Sequence, residues 1–223
     1  MSLTYYAFRH AASVFSRIPT ATAARLLPPH LRPMEVQHGS AVFGVTAFDF
    51  LESPVGPYQE IALAVVVPPL PKADGVFPKA AFYPVRVGTS TRAASGHRAS
   101  AWRLPCWSRD LAVHFQDLGD RINVYAYAGG DPLVDFTVSC RKWNPVDQAY
   151  QSFMATDDKT FKVDFRLRGP MSVHEEERGR IKLHDHALWA GVDREEIEGI
   201  PFRELWMKDG VQVFEEIETF ETL

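Results

Sequence analysis

From residue 41 onward the chain is a succession of short segments rich in Val, Phe, Tyr and Thr, each broken off by turn-forming residues. Such segments are expected to be β-strands, because β-branched and aromatic side chains suit a pleated, half-buried surface. They run over Ala41–Phe50, Tyr58–Val67, Ala80–Val87, Leu111–Phe115, Arg121–Ala128 and Leu133–Arg141. Val124, Ala126 and Ala128 alternate with Tyr125 and Tyr127, the period of a sheet with two unlike faces. Gly119-Asp120 and Gly129-Gly130-Asp131-Pro132 supply turns between them. Further strands are expected at Tyr150–Ala155, Lys159–Arg168, Met171–Glu176 and Arg180–His184. A meander of this length leaves exposed edges unless it closes on itself. A β-dominated α+β fold built on a barrel is therefore expected.

Helices are few. Thr20–Leu27 has an N-capping threonine and helix-favouring alanines, and ends at Pro28-Pro29. Thr91–Ser100 and Phe202–Lys208 have helical texture, while Val211–Phe220 reads as a final strand or a frayed helix. No repeat or low-complexity linker divides the 223 residues, so one domain is expected over 1–223.

Charge narrows the partners. Twenty-four Lys and Arg against 28 Asp and Glu leave −4, which gives no footprint for nucleic acid. The first 110 residues hold 11 basic and six acidic side chains, and the remainder 13 and 22. That asymmetry reads as an uneven surface, or as an acidic tail meeting a basic subunit neighbour in a homo-oligomer. The longest apolar stretch, Ile61–Val67, is far short of a membrane span. The first 34 residues carry arginines and no acid, as transit peptides do, but are expected to belong to the fold. Cys106 and Cys140 make no disulfide framework, so a reducing, cytoplasmic setting is expected.

Four segments, in order, resemble the acetoacetate decarboxylase family. Arg25-Leu-Leu-Pro-Pro-His-Leu31 is similar to a short helix and its ending near that family's N-terminus, with Arg9 at the spacing of an active-site arginine. Gly56-Pro-Tyr-Gln-Glu60 resembles the family's Gly-x-Tyr-x-Glu, whose glutamate faces the pocket. Gly96–Trp107 resembles the stretch that leads into an aromatic-x-Pro-Lys-Lys turn, and Gly179–Leu188 a late strand and turn. The resemblance implies a closed antiparallel β-barrel or cone with a few short helices. It also implies assembly of subunits and a lysine that forms a Schiff base with a β-keto acid.

Here Cys106-Trp107 stand where that resemblance places the two lysines. An amine serves as such a nucleophile only when a neighbouring cation or an apolar pocket lowers its pKa, the effect for which acetoacetate decarboxylase is the standard instance. Arginine cannot substitute, since it stays protonated. Phe77-Pro78-Lys79 has the right composition but precedes the Ala80–Val87 strand, so Lys79 reads as a loop lysine. The iminium route is therefore expected to be absent.

Other side chains remain as candidates. Glu60 is a candidate acid-base group and Cys106 a candidate nucleophile. Trp102, Leu104 and Trp107 give the thiol apolar company that works against its ionisation; Arg103 or Arg109 would oppose that, and His97 or His114 would serve as its base. Arg9 would hold a carboxylate through its planar fork, and Tyr58, Trp102, Pro105 and Trp107 would complete the binding wall. His184 and His186 share a strand face but lack a third ligand, so no metal is expected and no cofactor. The expected function is binding of a small keto-acid or carboxylate compound inside a barrel, with lyase, isomerase or hydratase chemistry free of an iminium. The alternatives are a non-catalytic ligand-binding or regulatory protein and a thiol-dependent enzyme using Cys106.

Overall fold

The computed structural model describes residues 3–72, 75–107, 110–156 and 159–220, which leaves Arg109 outside the described residues. The strands are β1 (Thr4–Pro19), β2 (Glu35–Gln37), β3 (Ser40–Glu52), β4 (Tyr58–Val67), β5 (Ala81–Thr89), β6 (Cys106–Trp107) and β7 (Leu111–Asp117). There follow β8 (Arg121–Ala128), β9 (Asp131–Ser139), β10 (Asn144–Ala155), β11 (Thr160–His174), β12 (Arg180–Leu183), β13 (Arg203–Phe214) and β14 (Glu218–Phe220). Two α-helices, α1 (Thr20–Arg25) and α2 (Arg92–Trp102), are accompanied by two short 3₁₀ turns late in the chain.

β1 pairs with β13 along one edge and with β3 along the other. The circuit β1-β13-β11-β10-β5-β4-β3 thus returns to its start, and the seven strands form a closed barrel. Six junctions are antiparallel, but β10 meets β5 in parallel at Gln151↔Ala81 and Ser152↔Phe82. The barrel is therefore mixed, not wholly antiparallel as the sequence suggested. A parallel junction requires a long crossover. The crossover from β5 to β10 carries α2 and strands β6 to β9, and β9, β8 and β7 form a second sheet with β12.

That second sheet shares a buried core with the outer face of the barrel. Phe43, Val45, Ile61, Leu63 and Val65 of β3 and β4 belong to the same cluster as Val113, Ile122, Val124 and Phe136. Alternate residues of β3 and β4, including Thr46, Phe48, Glu60, Ala62 and Ala64, turn inward instead. Both faces of these strands are buried, so they read as near-continuous apolar runs.

Three local expectations change. β1 and β13 are long strands, although residues 4–19 had no strand assigned and Phe202–Lys208 had helical texture. β1 is buried continuously from His10 to Phe15, so it lacks the alternation that marks a one-sided strand. In β13, apolar residues spaced as in a helix serve two faces of a barrel wall. At α1, Pro19 occupies the N-cap without a side-chain hydrogen bond, and the Thr20 hydroxyl donates to Glu35 Oε1 at 2.6 Å.

α2 forms as its residues direct. The Thr91 side chain caps it by accepting from the Ala94 N–H at 3.1 Å. Ala94, Arg98 and Trp102, spaced by four, make its buried stripe. It ends at Arg103, whose φ of 55° and ψ of 26° are left-handed.

Candidate functional site

The barrel interior retains a cavity of about 120 Å³. That is below the ~300–1,000 Å³ of pockets for drug-sized ligands, so it suits a molecule of only a few heavy atoms. Its wall is largely apolar, with Phe15, Phe48, Phe82, Phe165 and Met207 among its residues. The charged residues of the wall are Glu60, from β4, and Arg98, from α2.

The two form a buried ion pair. Arg98 donates from Nε to Glu60 Oε2 at 2.8 Å and from Nη2 to Oε1 at 3.2 Å. Nη2 also reaches Gln212 Oε1 at 3.4 Å, and the Tyr58 hydroxyl donates to Glu60 Oε2 at 3.3 Å. The guanidinium carbon lies 4.3 Å from the Tyr6 ring centroid and 5.3 Å from those of Phe50 and Phe214, within cation–π range. Arg98 is 1% exposed, and its Nη1 has no hydrogen-bond partner among the described residues. A buried, unpaired N–H is costly, and a cation's more so.

The electrostatics follow from burial and this pair. Burial works against the charge on Arg98, but Glu60, with Tyr58 and Tyr6 adding to it, overcomes that effect and the guanidinium is held more firmly protonated than usual. Burial, with Glu60 adding to it, drives the Tyr58 phenol far above its ordinary range. Tyr6 is likewise raised by burial; its hydroxyl accepts from Trp102 Nε1 at 2.7 Å and meets His97 Nε2 at 2.6 Å. Burial and the nearby Arg98 lower the pKa of His97.

The sequence candidates do not all meet here. Glu60 and Trp102 line the cavity, and Tyr58 supports Glu60 from beside it. Cys106 sits next to the cavity wall, on β6 opposite Val87 of β5. Its thiol is pushed up to about 12, by burial first and by Glu60 second, against the opposing effect of Arg98. Trp107 turns away to an edge-on contact with His186 at 5.4 Å, and Pro105 lines a different pocket beyond β5.

Arg9 points outward to Asp49 at 3.5 Å, with its side chain 58% exposed. The pairing of β1 with β3 runs Phe8↔Phe50 and then His10↔Asp49, so Arg9 is the extra residue of a β-bulge. The bulge reverses which side chains face inward: Phe8 before it packs in the cluster that holds Ala11 and Phe48, and Ala11, Ser13 and Phe15 after it line the cavity. Lys79 is exposed at the surface, and none of the residues lining the cavity is a lysine. His184 Nε2 contacts Asp135 Oδ2 at 2.9 Å, while His186 caps a 3₁₀ turn by accepting from the Leu188 N–H, so the two imidazoles do different work.

Arg98, Gln212 and Tyr6 are the residues sequence reasoning missed. One signal was present for Arg98: it shares the four-residue spacing of Ala94 and Trp102, which puts an arginine on the apolar side of its helix.

No family model matches the sequence, and no curated protein does. Solved structures do match. An acetoacetate decarboxylase aligns with a TM-score of 0.68 at 12% identity over 99% of this chain and 90% of that one. The enduracididine biosynthesis enzyme MppR, complexed with pyruvate, gives 0.65 at 11% over 99% and 90%. An acetoacetate decarboxylase-like enzyme from Sphingomonas wittichii RW1 gives 0.64 at 14% over 99% and 93%. At these identities the likeness is one of fold: the chain has an acetoacetate decarboxylase-like fold.

Proposed function

We propose that the barrel cavity binds a small carbonyl compound bearing a carboxylate, with Arg98 in place of Arg9 as the residue that receives the anion. The observation that carries this reading is the Nη1 of Arg98, in the cavity wall, a buried guanidinium nitrogen without a partner among the described residues. A carboxylate oxygen would satisfy it, and a charge-assisted hydrogen bond in an apolar site is a strong one. The apolar remainder of the wall would hold the rest of the molecule and exclude water. A relative by fold, MppR, is complexed with pyruvate, a compound of this class.

The chemistry would not pass through an imine, because no lysine lines the cavity. If the bound compound reacts, Glu60 is the group in reach to hold or move a proton, and the step would be of lyase, isomerase or hydratase type. A second reading has its own support. Both oxygens of Glu60 already accept hydrogen bonds, from Arg98 and Tyr58, which favours a protein that binds without turning over.

Calorimetric titration with pyruvate and acetoacetate tests the binding. Saturable binding is expected, and filling the cavity by Ala62→Leu should abolish it while far-ultraviolet circular dichroism stays unchanged. Equal binding by the wild type and Ala62→Leu would sink the proposed site. Borohydride trapping of an acetoacetate adduct would overturn the exclusion of an imine. Product formation across keto and hydroxy acids separates the enzyme from the binding module.

A further inference from the structure

A second cavity, of about 360 Å³, lies beyond β5 from the first. It is bounded by β5, the end of α2 and residues 190–192, and three arginines line it: Arg25, Arg86 and Arg103. Among the described residues no aspartate, glutamate or lysine does. Arg25 approaches Glu196 at 3.6 Å, whereas neither Arg86 nor Arg103 has an acidic partner among the described residues. Arg86 Nη1 donates to its neighbour Val85 O at 2.9 Å, and the Arg103 guanidinium stands 5.8 Å from the Phe161 ring centroid. Three fixed cations offset by one carboxylate leave about two positive charges at a half-open concavity.

Both unpaired arginines owe their position to an irregularity of the backbone. β5 pairs with β4 as Leu63↔Arg86 and then Ala64↔Pro84, so Val85 is the extra residue of a bulge. Pro84 and Val87 line the barrel cavity, and the bulge between them sends Arg86 to the outside. Arg103 takes the left-handed conformation that glycine ordinarily supplies at a helix end. A non-glycine residue held there is strained, and such strain gathers at ligand sites.

We propose that this pocket binds the phosphate monoester of a small organic molecule, at a site separate from the barrel cavity. A monoester carries a charge of about −1.5 to −2 near neutral pH, which matches the two uncompensated guanidinium groups. The planar donor forks of arginine suit phosphate oxygens. Leu26, Met154 and Val192 give the organic part an apolar wall. The two cavities share Pro84, and α2 supplies Arg98 to one and ends at Arg103 in the other. A ligand that fixes Arg103 therefore also fixes the end of the helix that carries Arg98.

The full chain would be titrated calorimetrically with glycerol 3-phosphate, inorganic phosphate and glycerol. Glycerol 3-phosphate should bind saturably and more weakly as salt rises, and glycerol should not bind. Arg103→Gln and Arg86→Gln should each weaken binding at least tenfold, while Arg9→Gln, on the far outer face, should leave it unchanged. Arg103 is exposed, so its replacement keeps the test open even if Arg86→Gln fails to fold. Absence of saturable binding, or wild-type binding by Arg103→Gln, would overturn the site. Inorganic phosphate binding as tightly as the ester would overturn the assignment of an organic monoester.

Discussion

Arg98→Met should destabilise the protein by about 3–5 kcal/mol in urea unfolding, because it leaves Glu60 as an uncompensated buried charge. The double variant Glu60→Gln/Arg98→Met should recover a large part of that loss, since neither charge then remains unpaired. A loss in the double variant as large as in the single would show that packing of the arginine stem, not the charge, is what matters. Cys106 supplies a pH prediction. Its folded pKa is raised to about 12 from an ordinary 9, so the contribution to stability is complete below pH 9 and is lost as pH climbs toward 12. Melting temperatures between pH 8 and 11 should fall more steeply in the wild type than in Cys106→Ala. Alkylation of Cys106 near neutral pH should be slow for the same reason. Of these residues, Glu60 was legible through the resemblance of Gly56-Pro-Tyr-Gln-Glu60 to a family motif whose glutamate faces the pocket. Arg98 was not, because α2 is composed mostly of small residues and its apolar side does not stand out.

α2 links capping to binding. Thr91→Ala removes the one side-chain cap of that helix and should cost about 1 kcal/mol. It should also weaken carboxylate binding in the barrel severalfold by loosening the helix that holds Arg98, which calorimetry would detect. A stability loss with unchanged affinity would mean that the Glu60 and Gln212 contacts hold Arg98 by themselves. The legible strands were of two kinds: β8, whose alternating tyrosines mark one wetter face, and β3 and β4, whose two buried faces leave near-continuous apolar runs. β1 and β13 were not legible, because polar and charged residues such as His10, Ser13 and Arg17 in β1 and Glu204 and Lys208 in β13 interrupt both patterns, and because a bulge such as the one at Arg9 changes parity without leaving a mark in composition. The parallel junction of β5 with β10 depends on a crossover of more than fifty residues, which no local pattern records.

At the scale of the whole molecule, closure was legible and its details were not. A long run of strands predicts a barrel because open edges invite pairing, but the order β1-β13-β11-β10-β5-β4-β3 is set by non-local packing. Among the described residues no helix is long and apolar enough to cross a membrane. We expect the chain to self-associate through its basic first half and acidic second half. Sedimentation at low salt should then give a particle heavier than the 25.1 kDa chain, shifting toward it as salt is raised. A single-chain mass at low salt would remove that expectation.

β1 has a partner on each side, β3 close by in sequence and β13 almost two hundred residues later. On a ribosome adding about 5–20 residues per second, the wait between them is on the order of 8–32 seconds. During that interval the hairpin of β1 and β3 presents an unpaired strand edge sixteen residues long, flanked by apolar side chains. β1 is made before β3 and is enclosed only once β13 emerges, so that edge stays uncovered while the intervening strands are synthesised.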